Sequence, residues 1–191
     1  GWHIHEVGGS FGSDSFAHVE NIATIPGDVD EDDLYMVVKR TVNGSTRRYV
    51  EYLTNYDYGD SITDAFFVDS GLAYSGSATT SISGLDHLEG QTVSILANGS
   101  THPDKTVSNG AITLDRSITK AQIGLAYTSL LQTMRIEAGA AEGVAQGQTK
   151  RIHEVTIRLL NSVGVEIGSD LNNMERIPFR SSADAMDTAI A

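Results

Sequence analysis

Hydrophobic and polar residues alternate with a period of two along much of this chain, and the alternation breaks at corners that contain glycine. In DLYMVVKRTVNGSTRRYVEYLT, two runs rich in Tyr, Val and Thr flank Asn43-Gly44. Successive side chains of a strand point to opposite faces, and Asn-Gly tolerates the positive φ angles of a type I′ turn, whose twist matches paired strands. The pattern predicts a hairpin of about residues 34–42 with 45–53. Upstream, WHIHEVGG and AHVENIATIPG read as two more strands, stopped by Gly8-Gly9 and by Pro26-Gly27. The amino-terminal third therefore reads as a meander.

The same logic extends into the middle of the chain. Thr92 and Ser94 alternate with Val93 and Ile95 ahead of Asn98-Gly99, and Val107 precedes Asn109-Gly110 and AITLD. Short strands that each bury one face and turn back at once indicate a small barrel or sandwich, here over residues 72–134. SLLQTMRIE reads as strand, and EAGAAEGVAQGQTK, with Gly139, Gly143 and Gly147, as a loop. RIHEVTIRLLNSVGVEIG fits a helix through Ile152, Val155 and Leu159 and fits alternation equally; its β-branched content favours a strand. The expectation is an all-β protein: an antiparallel, blade-like scaffold from 1–71 and 135–191, with a small β-barrel at 72–134 inserted into it.

Composition narrows the function classes. With 191 residues, 40% of them hydrophobic, the chain is long enough to bury a core. Its apolar runs fall short of the roughly 18–20 residues that a helical membrane span needs, so no span is expected. The absence of cysteine excludes a disulfide framework, a thiolate nucleophile and Cys-ligated zinc. A net charge of −12 disfavours a DNA-gripping surface, because such affinity comes from clustered Lys and Arg that displace counterions. The sequence opens without Met and stops at SADAMDTAIA, which reads as a piece of a longer protein.

Candidate chemistry is sparse. Gly8-Gly9-Ser10-Phe11-Gly12 matches the G-x-S-x-G nucleophile elbow, but an elbow needs a strand of a parallel sheet before it and a helix after it, so a turn is expected. His3 and His5, two apart on a strand, share a face; His18, Glu6 or Glu20 could complete a metal site, but none is fixed by spacing, and no metal is expected. His87 stands near Asp86 and Glu89, a set able to move protons but better read as a polar loop capping the barrel. Asp28, Asp30 and Asp32 imitate the start of a calcium loop, yet the mid-loop glycine is missing and the twelfth position is Lys39, which leaves an acidic turn. Asn43-Gly44-Ser45 and Asn98-Gly99-Ser100 match glycosylation acceptors and read better as hairpin turns. No catalytic residue and no cofactor are assigned, and an enzyme is not expected.

Taken in order, the segments DDLYMVVKRTVNGSTRRYVEYL, DAFFVDSGLAYSG, ISGLDHLEGQTVSILANG, VSNGAITL, KRIHEVTIRLLNSVGVEIG and RIPFRS resemble the tail nozzle proteins (tail tubular protein B) of short-tailed bacteriophages and prophages. The shared positions are Trp2, His5, Gly8, Gly9, Lys39-Arg40, Arg48-Tyr49, Glu51, Asp69 to Leu72 and Gly84-Leu85 through Val93. The resemblance implies a structural virion protein, made in the bacterial cytoplasm, whose propeller-like blades form a homo-oligomeric ring, hexameric in the virion, below the portal and adaptor. DNA would pass through its bore at ejection. It also implies an inserted barrel similar to the β-barrel half-domain of ubiquitin-activating enzymes, without their chemistry. At 191 residues the chain is too short for a whole propeller. Under this reading Asp28, Asp30, Glu31, Asp32 and Asp33 are candidates to face the channel, where carboxylates would repel phosphate and let DNA slide. The alternative is a β-rich binding module for a cell-surface glycan or a neighbouring tail protein, with Tyr56, Tyr58 and Tyr74 as interface aromatics.

Overall fold

The computed structural model describes residues 4–27, 32–55, 57–134, 139–140, 143–144, 151–159 and 164–178. Among them every regular element longer than three residues is a strand, and all ladders are antiparallel. The protein is all-β. The described residues up to Thr128 belong to one compact unit and those from Ser129 to a second. No helix among the described residues is long and apolar enough to cross a membrane.

The first unit begins with a three-stranded sheet of β1 (His18–Pro26), β2 (Asp32–Val42) and β3 (Ser45–Tyr52), in that order. Val42 pairs with Ser45, and Asn43 (φ 47°) and Gly44 (φ 70°) make the two-residue turn that their sequence predicts. Along β2 the residues Val38, Arg40 and Val42 are buried at every second position, so one face of the sheet points inward. The apolar core beneath that face is small: Val7, Ala17 and Val38, with Met36 against them. The strand expected at WHIHEVGG is corrected by the structure. Ile4 to Glu6 join no ladder, and Val7 makes an isolated bridge to Ala17. The reason is local, since the Gly8 carbonyl that could extend a ladder is taken by a side chain of β2.

The second sheet contains β4 (Asp69–Ser83), β5 (Thr92–Ala97), β6 (Ser100–Thr106) and β7 (Ala111–Leu125), in the order β4-β7-β5-β6. AITLD and AQIGL prove to be two ends of one 15-residue strand, β7. Its ladder with β4 slips register around Ser75, Thr79 and Ser81, and irregularities of this kind bend strands. That bend lets one end of β7 pair with β5 while the other end approaches β6. Asn98-Gly99 and Asn109-Gly110 form tight turns with all four φ angles positive. Thirteen buried apolar residues, including Ile82, Leu88, Val93, Leu114, Ile118 and Ile123, fill the interior.

In the second unit, β8 (Gly139–Ala140) pairs with β9 (Gly143–Val144), a minimal hairpin inside the glycine-rich segment read as loop. β10 (Glu166–Gly168) pairs with β11 (Met174–Arg176). Residues 129–134 and 151–159, read as strands from alternation, have no ladder. Alternation describes a chain that could be half-buried on a sheet, but a strand exists only beside a partner edge. Here Leu131 is 90% and Ile152 57% exposed.

Candidate functional site, a buried polar joint

Arg40 sits on the inward face of β2 between Val38 and Val42 and is 1% exposed. A buried guanidinium must have its donors filled, and three backbone or side-chain acceptors do so. Its Nε donates to the Gly8 carbonyl at 2.7 Å, and its two terminal nitrogens meet the two carboxylate oxygens of Glu51 on β3, one of them at 2.9 Å. The Gly8 N–H in turn donates to Asp69 Oδ2 at 2.6 Å. One chain of charge-assisted bonds thus ties the start of β4 to the amino-terminal loop, then to β2 and β3. Gly9 completes it: its φ is +113°, and a Cβ there would lie 2.8 Å from Arg40 Cδ. The Ser10 carbonyl accepts from Thr41 N–H at 2.8 Å and fastens the same loop.

A second set of bonds joins the sheets nearby. Tyr49 Oη donates to the His87 carbonyl at 3.1 Å, and His87 Nε2 donates to the Ser70 carbonyl at 2.9 Å, with the Tyr49 and His87 rings edge to face. Ser70 takes a left-handed φ of 50° at the irregularity between Asp69 and Leu72. Glu89 accepts from the N–H groups of Asn109 (3.0 Å) and Gly110 (2.8 Å), capping that turn with a carboxylate. A side chain at position 110 would collide with the Asp86 carboxylate.

Between these contacts lies an open cleft of about 310 Å³ whose polar lining includes His5, Tyr49, Glu51, Tyr52, Asp69 and His87. Glu51, Asp69 and His87 are already bonded to Arg40, Gly8 and Ser70. Burial, and after it the charge of Asp69, pushes the Tyr127 phenol above its usual range, which keeps it neutral. Three of the polar residues that line the cleft, Glu51, Asp69 and His87, therefore hold the fold together. Their chemistry is that of a joint.

Ser10 does not stand on an elbow: Phe11 and Asp14 bond to each other's backbone just after it, closing a tight turn. His3 lies outside the described residues. His18 Nε2 meets Asp14 Oδ2 at 2.7 Å, while Glu20 binds Arg48 (2.6 Å) and Lys39 (3.3 Å), so the proposed metal partners have separate engagements. Among the described residues no three His, Asp or Glu side chains converge to hold a metal. Both Asn-Gly-Ser sites are hairpin turns. Asp28, Asp30, Glu31 and Tyr56 lie outside the described residues, and Asp32 and Asp33 are exposed at the start of β2. Tyr58 is half-buried with its ring edge-on to Phe67, whereas Tyr74 packs against the main core and donates to the Ser77 carbonyl at 2.7 Å.

Sequence reasoning overlooked Arg40, Asp69 and His102 as structural centres. A signal existed for Arg40, because strand parity places it among inward residues where a charge needs a partner. No family model matches the chain, and no curated protein matches it. What the geometry defines is an all-β protein in which Arg40, Glu51, Asp69, Tyr49 and His87 join one part of the first unit to another.

Proposed function

We propose that the chain is an architectural part of the tail nozzle of a short-tailed phage, assembling with further copies into a ring. The observation that carries this reading is the outward face of the first sheet. Val50 is 74% and Tyr52 57% exposed, with Ile25 and the half-buried Tyr35 and Val37 on the same face by register. β1 adds an edge of nine residues, eight of them exposed, that pairs with no further strand among the described residues. An apolar face beside an open strand edge marks a surface that neighbours cover. The resemblance supports copies of the same protein as those neighbours, six in the virion, with portal and adaptor proteins at the ends of the ring. Asp32 and Asp33, exposed at the start of β2, then face the bore, where they repel passing DNA. The protein is made in the bacterial cytoplasm and resides in the virion tail.

Mass measurement in solution over a range of concentrations, with electron microscopy of the particles, tests the proposal. Rings that dissociate in Val50→Glu and Ile25→Glu are expected. A monomer at every concentration overturns it. A second reading, a binding module for glycan or a tail protein, is favoured by the Tyr58–Phe67 pair, since Phe67 is 49% exposed and aromatic faces stack on sugars. A monomer that retains a glycan on an array, and loses it in Phe67→Ala, would establish that reading instead.

A further inference from the structure

The second sheet has one seam without a backbone ladder. β6 pairs with β5, and its approach to the leading part of β7 runs through side chains. Arg116 on β7 donates to the carbonyls of Ala97 (3.2 Å) and Thr101 (3.4 Å) and to the Ser100 hydroxyl (2.5 Å). Lys105 on β6 meets the Asp115 carboxylate at 2.5 Å. His102 on β6 supplies an acceptor for the backbone of β7: its Nε2 lies 3.0 Å from the Asp115 N–H.

Hydrogen-bond chemistry fixes the state of this ring. Nδ1 lies 2.8 Å from the Pro103 carbonyl oxygen, which can only accept, so Nδ1 carries the hydrogen. Nε2 faces a backbone N–H, which can only donate, so Nε2 presents its lone pair. The side chain is 1% exposed, and the neutral tautomer satisfies both partners. An imidazolium has two donors and no acceptor. Its Nε2–H would be driven against the Asp115 N–H, while Asp115 Oδ2, 3.7 Å from Nε2, offers the alternative partner.

We infer that His102 is a proton-operated latch: protonation releases the backbone N–H of Asp115 and passes the ring to the Asp115 carboxylate, which opens the β6–β7 seam at that backbone contact and leaves an ion pair in its place, while the β4–β7 ladder stays closed. The charged group against the ring is Asp115 from β7; the other charged residues nearby along the two strands are Arg116 on β7 and Asp104 and Lys105 on β6, and β5 contributes Ile95 opposite and holds no titratable residue. Asp104 is bound by the Ser94 hydroxyl at 3.0 Å. The hydrogen bond from Lys105 holds the Asp115 carboxyl below its usual range, so it is still charged when an imidazole takes up its proton. The closed seam requires a neutral ring and the open seam accepts either form. Opening is therefore favoured as pH falls, and closure is fully present at the higher pH.

Amide NMR on the full chain tests the latch in a series of falling pH, with the His102 ring resonances followed in the same samples. As the His102 ring protonates, protection of the Asp115 amide, corrected for intrinsic exchange, is expected to fall about tenfold or more, as for a lost backbone bond, with β4 amides unchanged. His102→Gln is expected to remove the pH dependence. Asp115→Asn, at an exposed side chain, keeps the N–H and removes the negative charge that favours an imidazolium, and is expected to move opening to more acid pH. Constant protection through the ring's titration overturns the inference, as does the same acid loss in His102→Gln. Should that variant not fold, an unshifted transition in Asp115→Asn overturns it.

Discussion

The two sheets of the first unit solve the same problem by different means. The β4–β7 sheet encloses a cluster of thirteen buried apolar residues, whereas the cluster beneath the β1–β3 sheet has three and the sheet holds its place through Arg40, Glu51, Gly8 and Asp69. Burial of apolar area is additive and tolerant of small shifts, so the second sheet can lose a contact and keep its shape. A buried ion pair is conditional: it roughly offsets its own desolvation when complete and is costly when one member is missing. A thin sheet fixed by polar bonds leaves Val50 and Tyr52 exposed on its outer face, beside the ion pairs of Glu20 with Arg48 and Lys39. The contrast teaches where the stability of each sheet resides.

The sharpest way to break the contrast is at the joint. Arg40→Ala strands the Glu51 carboxylate and the Gly8 carbonyl, and the expected loss is about 3–5 kcal/mol, the range for removing one partner of a buried pair. Segment-resolved hydrogen exchange should show the loss in β1–β3 and the amino-terminal loop, with β4–β7 still protected. Arg40→Lys should not restore stability, since one ammonium cannot reproduce the fork. Uniform loss across both sheets would remove the distinction.

Core truncations give the next effect. Ile123→Ala is expected to cost about 2–5 kcal/mol by urea unfolding, including the cavity it leaves. Val38→Ala, in the thinner core, should cost about 2 kcal/mol or less. Equal costs would mean that the first sheet depends on apolar packing after all.

Two of the three Asn-Gly corners sharpen the comparison further. Asn98 Oδ1 accepts from the N–H groups of Thr119 (3.2 Å) and Lys120 (3.0 Å), so Asn98→Gly should cost about 1–3 kcal/mol. Asn43 holds a turn of the same φ signs, and Asn43→Gly should change stability by less than about 0.5 kcal/mol, because glycine adopts that backbone freely. Paired melts of the two variants decide it.

The smallest effect is electrostatic and lies on the outer face. The hydrogen bond from Arg48, with help from Lys39, holds the Glu20 carboxyl below its usual range. A depressed carboxyl contributes stability above its unfolded value and loses it as pH falls through the folded value. Glu20 is fully exposed, so the difference between Glu20→Gln and the parent should be small, should vanish in acid and should shrink with added salt. Denaturant midpoints at two salt concentrations measure it.

Much of the fold was legible in the residues themselves. The hairpin over 34–42 and 45–53 needed only alternation and Asn43-Gly44, because both signals are local. The same rule failed at WHIHEVGG and at 151–159, where the alternation is present and the partner edge is not. For the joint, parity could place Arg40 inward, but nothing in the spacing says that the arginine reaches Gly8 or that Asp69 sits beyond it. His87 was visible as a loop histidine; that its proton goes to the Ser70 carbonyl was not.

By itself the sequence determined an all-β chain, its asparagine–glycine corners and the parity of its strands, since φ preference and side-chain alternation act over two to four residues. Tertiary structure alone decided that Gly8, Arg40, Glu51 and Asp69 meet, that β7 is one bent strand, and that the Asp115 N–H reaches the His102 ring. These depend on contacts between residues 11 to 61 positions apart, whose geometry arises only when the sheets pack.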